Sequence, residues 1–225
     1  MNEDEDRRQR DNSIHFFGKV TASISHEMKN VMAIINENAG LMEDLAIMAE
    51  KGRPLEVKRV KTLAGKIRVQ VQRGDGIVRN MNRFAHSIDM PVDLVDLCEL
   101  LELMVILAQR AAAMKGITLE AKAASDKIMI TTRPFILENL IWFCLRSIMD
   151  SDPSPRTIIV VPESVLKKGA QIRFSGFSGH FLSKDNTFFK QAKEQFLESL
   201  EGDLIIDSVA REIVIVLPGN ISARK

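Results

Sequence analysis

The sequence has no tyrosine and one tryptophan, and aromatic residues make up only 5% of its 225 positions. Proteins that bind single-stranded nucleic acid stack bases on aromatic side chains, so this scarcity argues against that class of function. The formal net charge is +1, which gives no general attraction to nucleic acid or to an acidic membrane surface. No apolar run approaches the roughly 20 residues needed to span a bilayer, and the charged first residues are unlike a signal peptide.

Cysteine is also scarce: Cys98 and Cys144 each lie inside an apolar run. Because their spacing is not the C-x-x-C pattern of a zinc or redox site, we expect two buried free thiols. The sequence likewise lacks a metal-ligand cluster, a Walker phosphate loop and a dinucleotide-binding fingerprint. These absences predict a soluble cytoplasmic protein without a bound metal and without a nucleic-acid or membrane partner.

Periodicity divides the chain into three segments, residues 1–13, 14–90 and 91–225. The first is highly charged and has no apolar periodicity, so we predict a frayed helix start or a mobile tail. The second predicts two long helices, from about His15 to Lys51 and from about Pro54 to Ile88. A Gly-Arg-Pro sequence between them is typical of a helix end followed by a new start. This segment is therefore expected to form a long antiparallel helical hairpin.

Each predicted helix carries an apolar stripe. Alternating steps of three and four residues from Phe17 meet apolar positions except at Glu27 and Asn38, and the same stepping from Val57 meets only apolar or small residues. A single hairpin gives its stripes only one partner, whereas two hairpins can bury them fully in a four-helix bundle. We therefore predict a homodimer. The alternative is that the hairpin packs on the rest of its own chain.

Residues 91–225 have a different texture, in which short helices and strands alternate. The expected order is α, β, β, α, β, β, α, β, β, and it ends with a hairpin of strands Asp203–Asp207 and Glu212–Leu217. This order predicts an α/β sandwich, with one mixed sheet and helices layered on one face. The expected helices run from about Leu94 to Lys115, from about Pro134 to Asp150 and from about Asn186 to Leu200.

The segment Ser25-His26-Glu27-Met28-Lys29-Asn30-Val31 resembles the phosphoacceptor box S-H-E-[LM]-[KR]-[NT]-P of two-component histidine kinases, with six of seven positions in agreement. Val31 stands where the family has proline, which predicts an unkinked helix. The box also lies where the family places it, in the first helix of a hairpin. The resemblance implies a dimerisation and histidine-phosphotransfer hairpin, followed by an ATPase-like α/β domain of the Bergerat type.

The second domain resembles the family's ATP-binding domain in element order but not at the nucleotide contacts. Phe143 and Ser147 stand where the family has two asparagines that bind nucleotide and magnesium, and Asn139 lies one helical turn too early. The stretch Phe174–His180 contains glycines but no adenine-binding aspartate. Too few residues separate it from the last helix for a lid and a glycine-rich phosphate loop. The resemblance therefore implies a degenerate domain that binds neither ATP nor magnesium, and no cofactor is expected.

The resemblance assigns a role to residues of the box. His26 is the phosphoacceptor, since an unprotonated imidazole accepts a phosphoryl group near neutral pH. Glu27 orients the imidazole, or is instead a polar residue that sets the register of the bundle. Asn30 matches the residue that positions water when a response regulator is dephosphorylated. A docking surface beside His26 would include Met28, Lys29 and Ala33. Helix packing and a solvated charge are the ordinary explanations for those three.

These features predict an ATP-independent histidine phosphotransferase of a two-component phosphorelay. It would move a phosphoryl group to or from receiver aspartates of response regulators through His26. The expected partners are a second copy, receiver domains and an upstream hybrid histidine kinase. Two alternatives stay open: an ATP-dependent sensor histidine kinase with a diverged nucleotide site, and a non-catalytic pseudokinase or phosphatase module that binds response regulators. Whether the chain is an enzyme stays open with them, although autokinase activity is not expected.

Overall fold

The structure, a computed structural model, describes residues 3–122, 124, 126–151, 156–165, 169–177 and 186–221. The chain divides into two compact units, one of residues 21–83 and one of residues 1–20 together with 84–225. The elements are, in order, α1 (Glu3–Glu50), α2 (Val57–His86), β1 (Asp93–Asp96), α3 (Leu97–Ala113), β2 (Ile117–Ala121), β3 (Met129–Thr132), α4 (Pro134–Ser151), β4 (Arg156–Val165), β5 (Gly169–Ser175), α5 (Asn186–Ala192), a π-helical turn (Lys193–Leu197), α6 (Glu198–Leu200), β6 (Asp203–Asp207) and β7 (Glu212–Leu217).

Helix α1 begins at Glu3 and so includes most of the segment 1–13; the mobility expected of that segment stays a prediction. The sequence there places acidic residues first and arginines about one turn later. Acidic residues near a helix start complement the helix dipole, and opposite charges spaced by four residues favour a helix. The sequence of this segment therefore favours a helix through its charge pattern rather than through an apolar stripe.

The turn between α1 and α2 follows the prediction at the end of the first helix. Gly52 has a positive φ of 84°. Its N–H donates to the Ala49 carbonyl, and the Arg53 N–H donates to the Met48 carbonyl. These two hydrogen bonds are those of a Schellman C-cap. Helix α2 then begins at Val57 rather than at Pro54.

Within the unit of residues 21–83, α1 and α2 form the expected antiparallel pair. A Cβ atom added to Gly74 of α2 would lie 3.5 Å from Val31 Cγ1 and 3.9 Å from Met28 Sδ of α1. In the other compact unit, Phe16 of α1 contacts Phe84 near the end of α2, and their ring centroids are 5.3 Å apart. The division into compact units falls within the two helices, because residues 1–20 and the last residues of α2 group with the α/β elements; the domain boundary at residue 90 stays a prediction.

Strand β1 corrects the prediction that α3 starts at Leu94. Residues Asp93–Asp96 are extended and pair antiparallel with β3, where Asp96 is opposite Met129. Asp96 is the N-cap of α3, because its side chain accepts a hydrogen bond of 3.0 Å from the Cys98 N–H. Aspartate is among the preferred N-cap residues, and its position sets the true start of the helix at Leu97.

The strands of the described residues form two sheets, not the single mixed sheet that we predicted. The larger has the order β2-β4-β5-β7-β6, with β2 and β4 parallel and the other neighbours antiparallel. The smaller contains β1 and β3. The closing hairpin of β6 and β7 has the predicted bounds, so that prediction is confirmed.

The core of the α/β part lies between the five-stranded sheet and helices α3 and α4. Alternate residues of the central strands are buried on this side, as expected for a sheet with one covered face. These include Ile158, Val160, Ile172, Phe174, Ile213 and Ile215. Cys144 of α4 is buried here and burial raises the pKa of its thiol, whereas Cys98 is half-buried; both are free thiols. Across the described residues, no helix is both long and apolar enough to cross a membrane.

Candidate functional site

His26 lies on α1, inside the unit of residues 21–83, and its side chain is exposed. Lys29 and Asn30 are exposed too. Residues three and four positions apart are neighbours on one helix face, so these three side chains share the surface around the imidazole. An exposed imidazole on a regular helix is accessible to a second protein and has a fixed backbone, which is what phosphoryl transfer by positioning requires.

The other side of the same helical segment is packed. Val31 is 1% exposed, and its contact with the Gly74 position of α2 fixes the helix at the last position of the box. Helix α1 is continuous from Glu3 to Glu50, so valine at the family's proline position leaves no break in the helix. Gly74 was not singled out from the sequence. Its signal was a glycine inside a helical pattern, which often marks a close helix contact.

The side chain of Glu27 is not hydrogen-bonded to His26. Among the described residues, neither a hydrogen bond nor an ion pair joins the two side chains, and Glu27 is half-buried. Consecutive helix residues project about 100° apart, so Glu27 lies toward the packed side while His26 lies toward solvent. Catalytic hydrogen bonds are often loose before a partner binds. The orienting role of Glu27 therefore stays a prediction.

The residues predicted to border the docking surface fall into two groups. Met28 is half-buried, and its sulfur lies near the Gly74 position, so hairpin packing accounts for this residue. Lys29 and Ala33 are exposed, and so is Met32 beside them. Lys29 makes no ion pair within the described part of the chain. The exposed surface around His26 thus includes Lys29, Asn30 and Ala33, and its role in docking a partner stays a prediction.

The positions that correspond to the family's nucleotide-binding asparagines carry aromatic packing instead. Phe143 of α4 stacks on Phe188 of α5, with ring centroids 5.1 Å apart and ring planes 8° apart. Phe143 also contacts Phe196 of the π-helical turn at 5.7 Å. Ser147 is half-buried and Asn139 is 6% exposed. This face of α4 therefore packs against aromatic side chains of the same chain.

Gly176, in the stretch predicted as a remnant glycine box, has a structural reason to be glycine. Its φ is +88°, and an added Cβ would lie 2.0 Å from the Thr157 carbonyl oxygen. No side chain can occupy that space, so the end of β5 approaches the start of β4 only with glycine here. Residues 178–180 of the stretch, together with the short connection before α5, lie outside the described residues. The ranges that are described contain no group of three or more His, Cys, Asp or Glu side chains able to hold a metal ion.

No protein-family model matches the chain, and no curated protein matches its sequence. Among solved structures, the chain is similar to the catalytic domain of histidine kinase ThkA, with 10% identity and a TM-score of 0.48 over 59% of this chain and 100% of that one. It is similar to the ATP binding domain of PrrB from Mycobacterium tuberculosis, with 16% identity and a TM-score of 0.48 over 58% and 98%. The Acinetobacter baumannii histidine kinase AdeS aligns over 87% of this chain and 98% of its own, with 13% identity and a TM-score of 0.45.

Proposed function

We propose that the protein is an ATP-independent histidine phosphotransferase of a two-component phosphorelay, with His26 as the phosphoacceptor. The observation that carries the proposal is the exposed imidazole of His26 on an unbroken helix, within a sequence that matches the phosphoacceptor box at six of seven positions. Asn30, one turn further along, shares the exposed face. The proposed setting is the cytoplasm.

The proposed chemistry uses a receiver aspartyl phosphate as donor. The unprotonated ring nitrogen of His26 attacks phosphorus, an N–P bond forms, and the O–P bond to aspartate breaks, which returns a free carboxylate. The ring becomes a positively charged phosphoimidazolium that can release the proton of its other nitrogen. A second receiver aspartate then takes the phosphoryl group by the reverse reaction. Glu27 would favour the charged ring by accepting a hydrogen bond once a partner is bound.

Support for a reaction without ATP comes from the aromatic contacts of α4. Phe143 offers neither an oxygen for magnesium nor an amide for a nucleotide, and its ring is engaged by Phe188. A nucleotide would have to displace this stack. The receiver is thus proposed as the phosphoryl donor in place of a bound nucleotide.

We further propose that the protein acts as a homodimer. Val57, Ala64, Val71 and Val78 recur on α2 at intervals of seven residues, and all four are exposed in the single chain. Helix α1 adds exposed Leu41 and Met48. A stripe at this spacing is the seam of a helical bundle. Two hairpins packed as a four-helix bundle would cover it.

The function is tested by phosphoryl transfer from purified receiver domains of the same organism, each first labelled with radioactive acetyl phosphate. We expect acid-labile label on the wild-type protein with at least one receiver, and none on His26→Ala. His15→Ala is the matched control, because His15 is an exposed histidine of the same helix outside the box. Label that persists on His26→Ala, or no label with any receiver, would contradict the proposal.

Two further measurements separate the alternatives. Calorimetry with Mg-ATP should show no binding, whereas a sensor kinase would bind it. Loss of label from a phosphorylated receiver, measured as released inorganic phosphate, would indicate phosphatase activity. Asn30 lies exposed beside His26, which favours this as a second activity. In that case Asn30→Ala should reduce phosphate release and leave the label on His26.

A further inference from the structure

Four aromatic rings meet where α4 contacts the hairpin ends, by which we mean the part of α1 around Phe16–Lys19 and the end of α2 around Phe84–Ser87. Phe16 of α1 lies 5.3 Å from Phe84 of α2, 5.5 Å from Phe135 and 5.9 Å from Trp142, measured between ring centroids. Phe84 is also 6.1 Å from Phe135. We call these four residues the aromatic cluster. All belong to one compact unit, so the cluster is an internal contact of that unit.

The aromatic cluster is well buried. Phe16, more than three turns after the start of α1, is 3% exposed, and Phe84, near the end of α2, is 1% exposed. Edge-to-face and tilted ring pairs at these separations are favourable geometries for aromatic side chains. Phe16 contacts Phe135 and Trp142 of α4, and Phe84 contacts Phe135, so α4 holds these parts of the two helices.

Polar contacts surround the aromatic cluster. Ser87, just after α2, donates a hydrogen bond of 2.7 Å to Glu138 of α4. Glu138 is 2% exposed, so its carboxylate depends on such partners. Further along α4, Asp150 pairs with Arg146 at 3.4 Å and with Lys115.

Lys19 of α1 interacts with the charges of Arg146 and Asp150. Its partial burial and the charge of Arg146 lower the pKa of its ammonium group, and the carboxylate of Asp150 opposes this effect. Both ends of the hairpin therefore have a charged or hydroxyl side chain that interacts with α4.

One face of α4 makes all of these contacts. Phe135, Glu138, Trp142 and Arg146 follow one another at steps of three and four residues, which places them on one side of a helix. Residues such as Leu137, Leu140 and Leu145 are fully buried in the α/β core. Helix α4 thus connects the sheet to the hairpin ends through two packed faces.

We propose that the aromatic cluster fixes the α/β elements to the hairpin ends, so that these parts of one compact unit move as a rigid body. This attachment lies within one compact unit and does not depend on the proposed function.

Trp142 provides the test, because it is the only tryptophan of the chain and lies in the aromatic cluster. In the full-length wild-type protein we expect blue-shifted emission and weak quenching by acrylamide. Phe16→Leu keeps an apolar side chain but removes three ring contacts. It should shift the emission to the red and raise the quenching constant several-fold, with far-ultraviolet circular dichroism unchanged. Phe188→Leu, which alters a different aromatic contact, is the matched control and should leave Trp142 unaffected.

Hydrogen exchange of the wild-type protein gives a second measurement that needs no variant. If the attachment is rigid, amides of Phe84–Ser87 exchange as slowly as those of Leu140–Leu145. Fast exchange at Phe84–Ser87, or wild-type tryptophan emission that is already red-shifted and readily quenched, would overturn the proposal. Neither readout involves phosphoryl transfer, so a failure here is distinct from a failure of the proposed function.

Discussion

Phe143 and Phe188 stack nearly parallel, with ring planes 8° apart and centroids 5.1 Å apart. The contact joins α4 to α5, two elements far apart in sequence. It occupies the position where the resemblance to histidine kinases would place a magnesium-binding asparagine. The stack has two separable consequences, one for stability and one for nucleotide binding.

Replacing Phe143 by asparagine should destabilise the protein without creating a nucleotide site. The substitution removes two ring contacts and leaves a polar group in a half-buried position, which should cost about 1–3 kcal/mol of unfolding free energy. Mg-ATP should still not bind, because no glycine-rich phosphate loop or adenine-binding aspartate accompanies the new side chain. Urea unfolding and calorimetry measure the two effects. Phe143→Leu is the control and should lose less stability; measurable Mg-ATP binding by Phe143→Asn would show a latent site.

The exposed stripe of α2 predicts the response of the oligomer to charge. Val71→Asp and Val78→Asp each place a carboxylate in the expected seam, where it would be buried without a partner. We expect both variants to be monomeric by light scattering at concentrations where the wild-type protein is dimeric.

Val209→Asp is the matched control for these variants. Val209 is 93% exposed in the turn between β6 and β7, so the same substitution there should leave the dimer intact. A wild-type monomer, or a Val71→Asp variant that stays dimeric, would show that the stripe is not the seam.

Replacing Gly74 by alanine should stabilise the protein. A Cβ atom at this position would make an ordinary van der Waals contact with Val31, at 3.5 Å. Gly74→Ala should therefore raise the unfolding free energy by about 0.5–1 kcal/mol, the usual advantage of alanine over glycine inside a helix.

Gly40→Ala is the comparison, because nothing lies within 4 Å of a Cβ at that position. It should give a similar gain from helix propensity alone. Thermal unfolding measures both. A clear loss of stability in Gly74→Ala alone would mean that the two helices approach more closely than the structure shows.

The contribution of Glu163 to the stability of the fold should depend on pH. Hydrogen bonds from Arg173 and then from Gln171 hold the pKa of its carboxyl below the ordinary value of 4.5. A carboxyl with a lowered folded-state pKa contributes its full stability above its unfolded-state pKa and loses it as the pH falls through the folded-state pKa. The stability difference between wild type and Glu163→Gln should therefore be greatest near neutral pH and shrink below about pH 4.5.

The control for this prediction is the same substitution in an Arg173→Met background, where the charged hydrogen-bond donor is gone. The pH-dependent difference should then largely disappear. Unfolding by urea between neutral pH and pH 3 provides the measurement. A difference that grows as the pH falls would contradict the assignment.

Local signals in the sequence were enough for the elements whose ends are set by neighbouring residues. The closing β6–β7 hairpin and the start of α4 at Pro134 fall where the pattern placed them. The end of α1 is set by Gly52, as expected from its C-cap chemistry. In each case the decisive interaction lies within a few residues of the signal.

Elements defined by distant partners were not predictable in this way. Residues Leu94–Asp96 continue the apolar pattern of α3, yet they form β1 because β3 supplies its hydrogen bonds. Because β3 pairs with β1 and not with β2, the strands form two sheets instead of one. At the candidate site, the sequence identified the box around His26, but the packing of Gly74 on Val31 and the aromatic cluster depend on contacts across the fold.

The backbone at Gly176 bears on how such sequences are interpreted. The Thr157 carbonyl oxygen occupies the space that any side chain at position 176 would need. Every sequence that keeps this approach of β5 to β4 must keep glycine there, whether or not a ligand binds nearby. A glycine retained for strand packing would continue to resemble part of a phosphate-binding motif long after any selection for a ligand had ended.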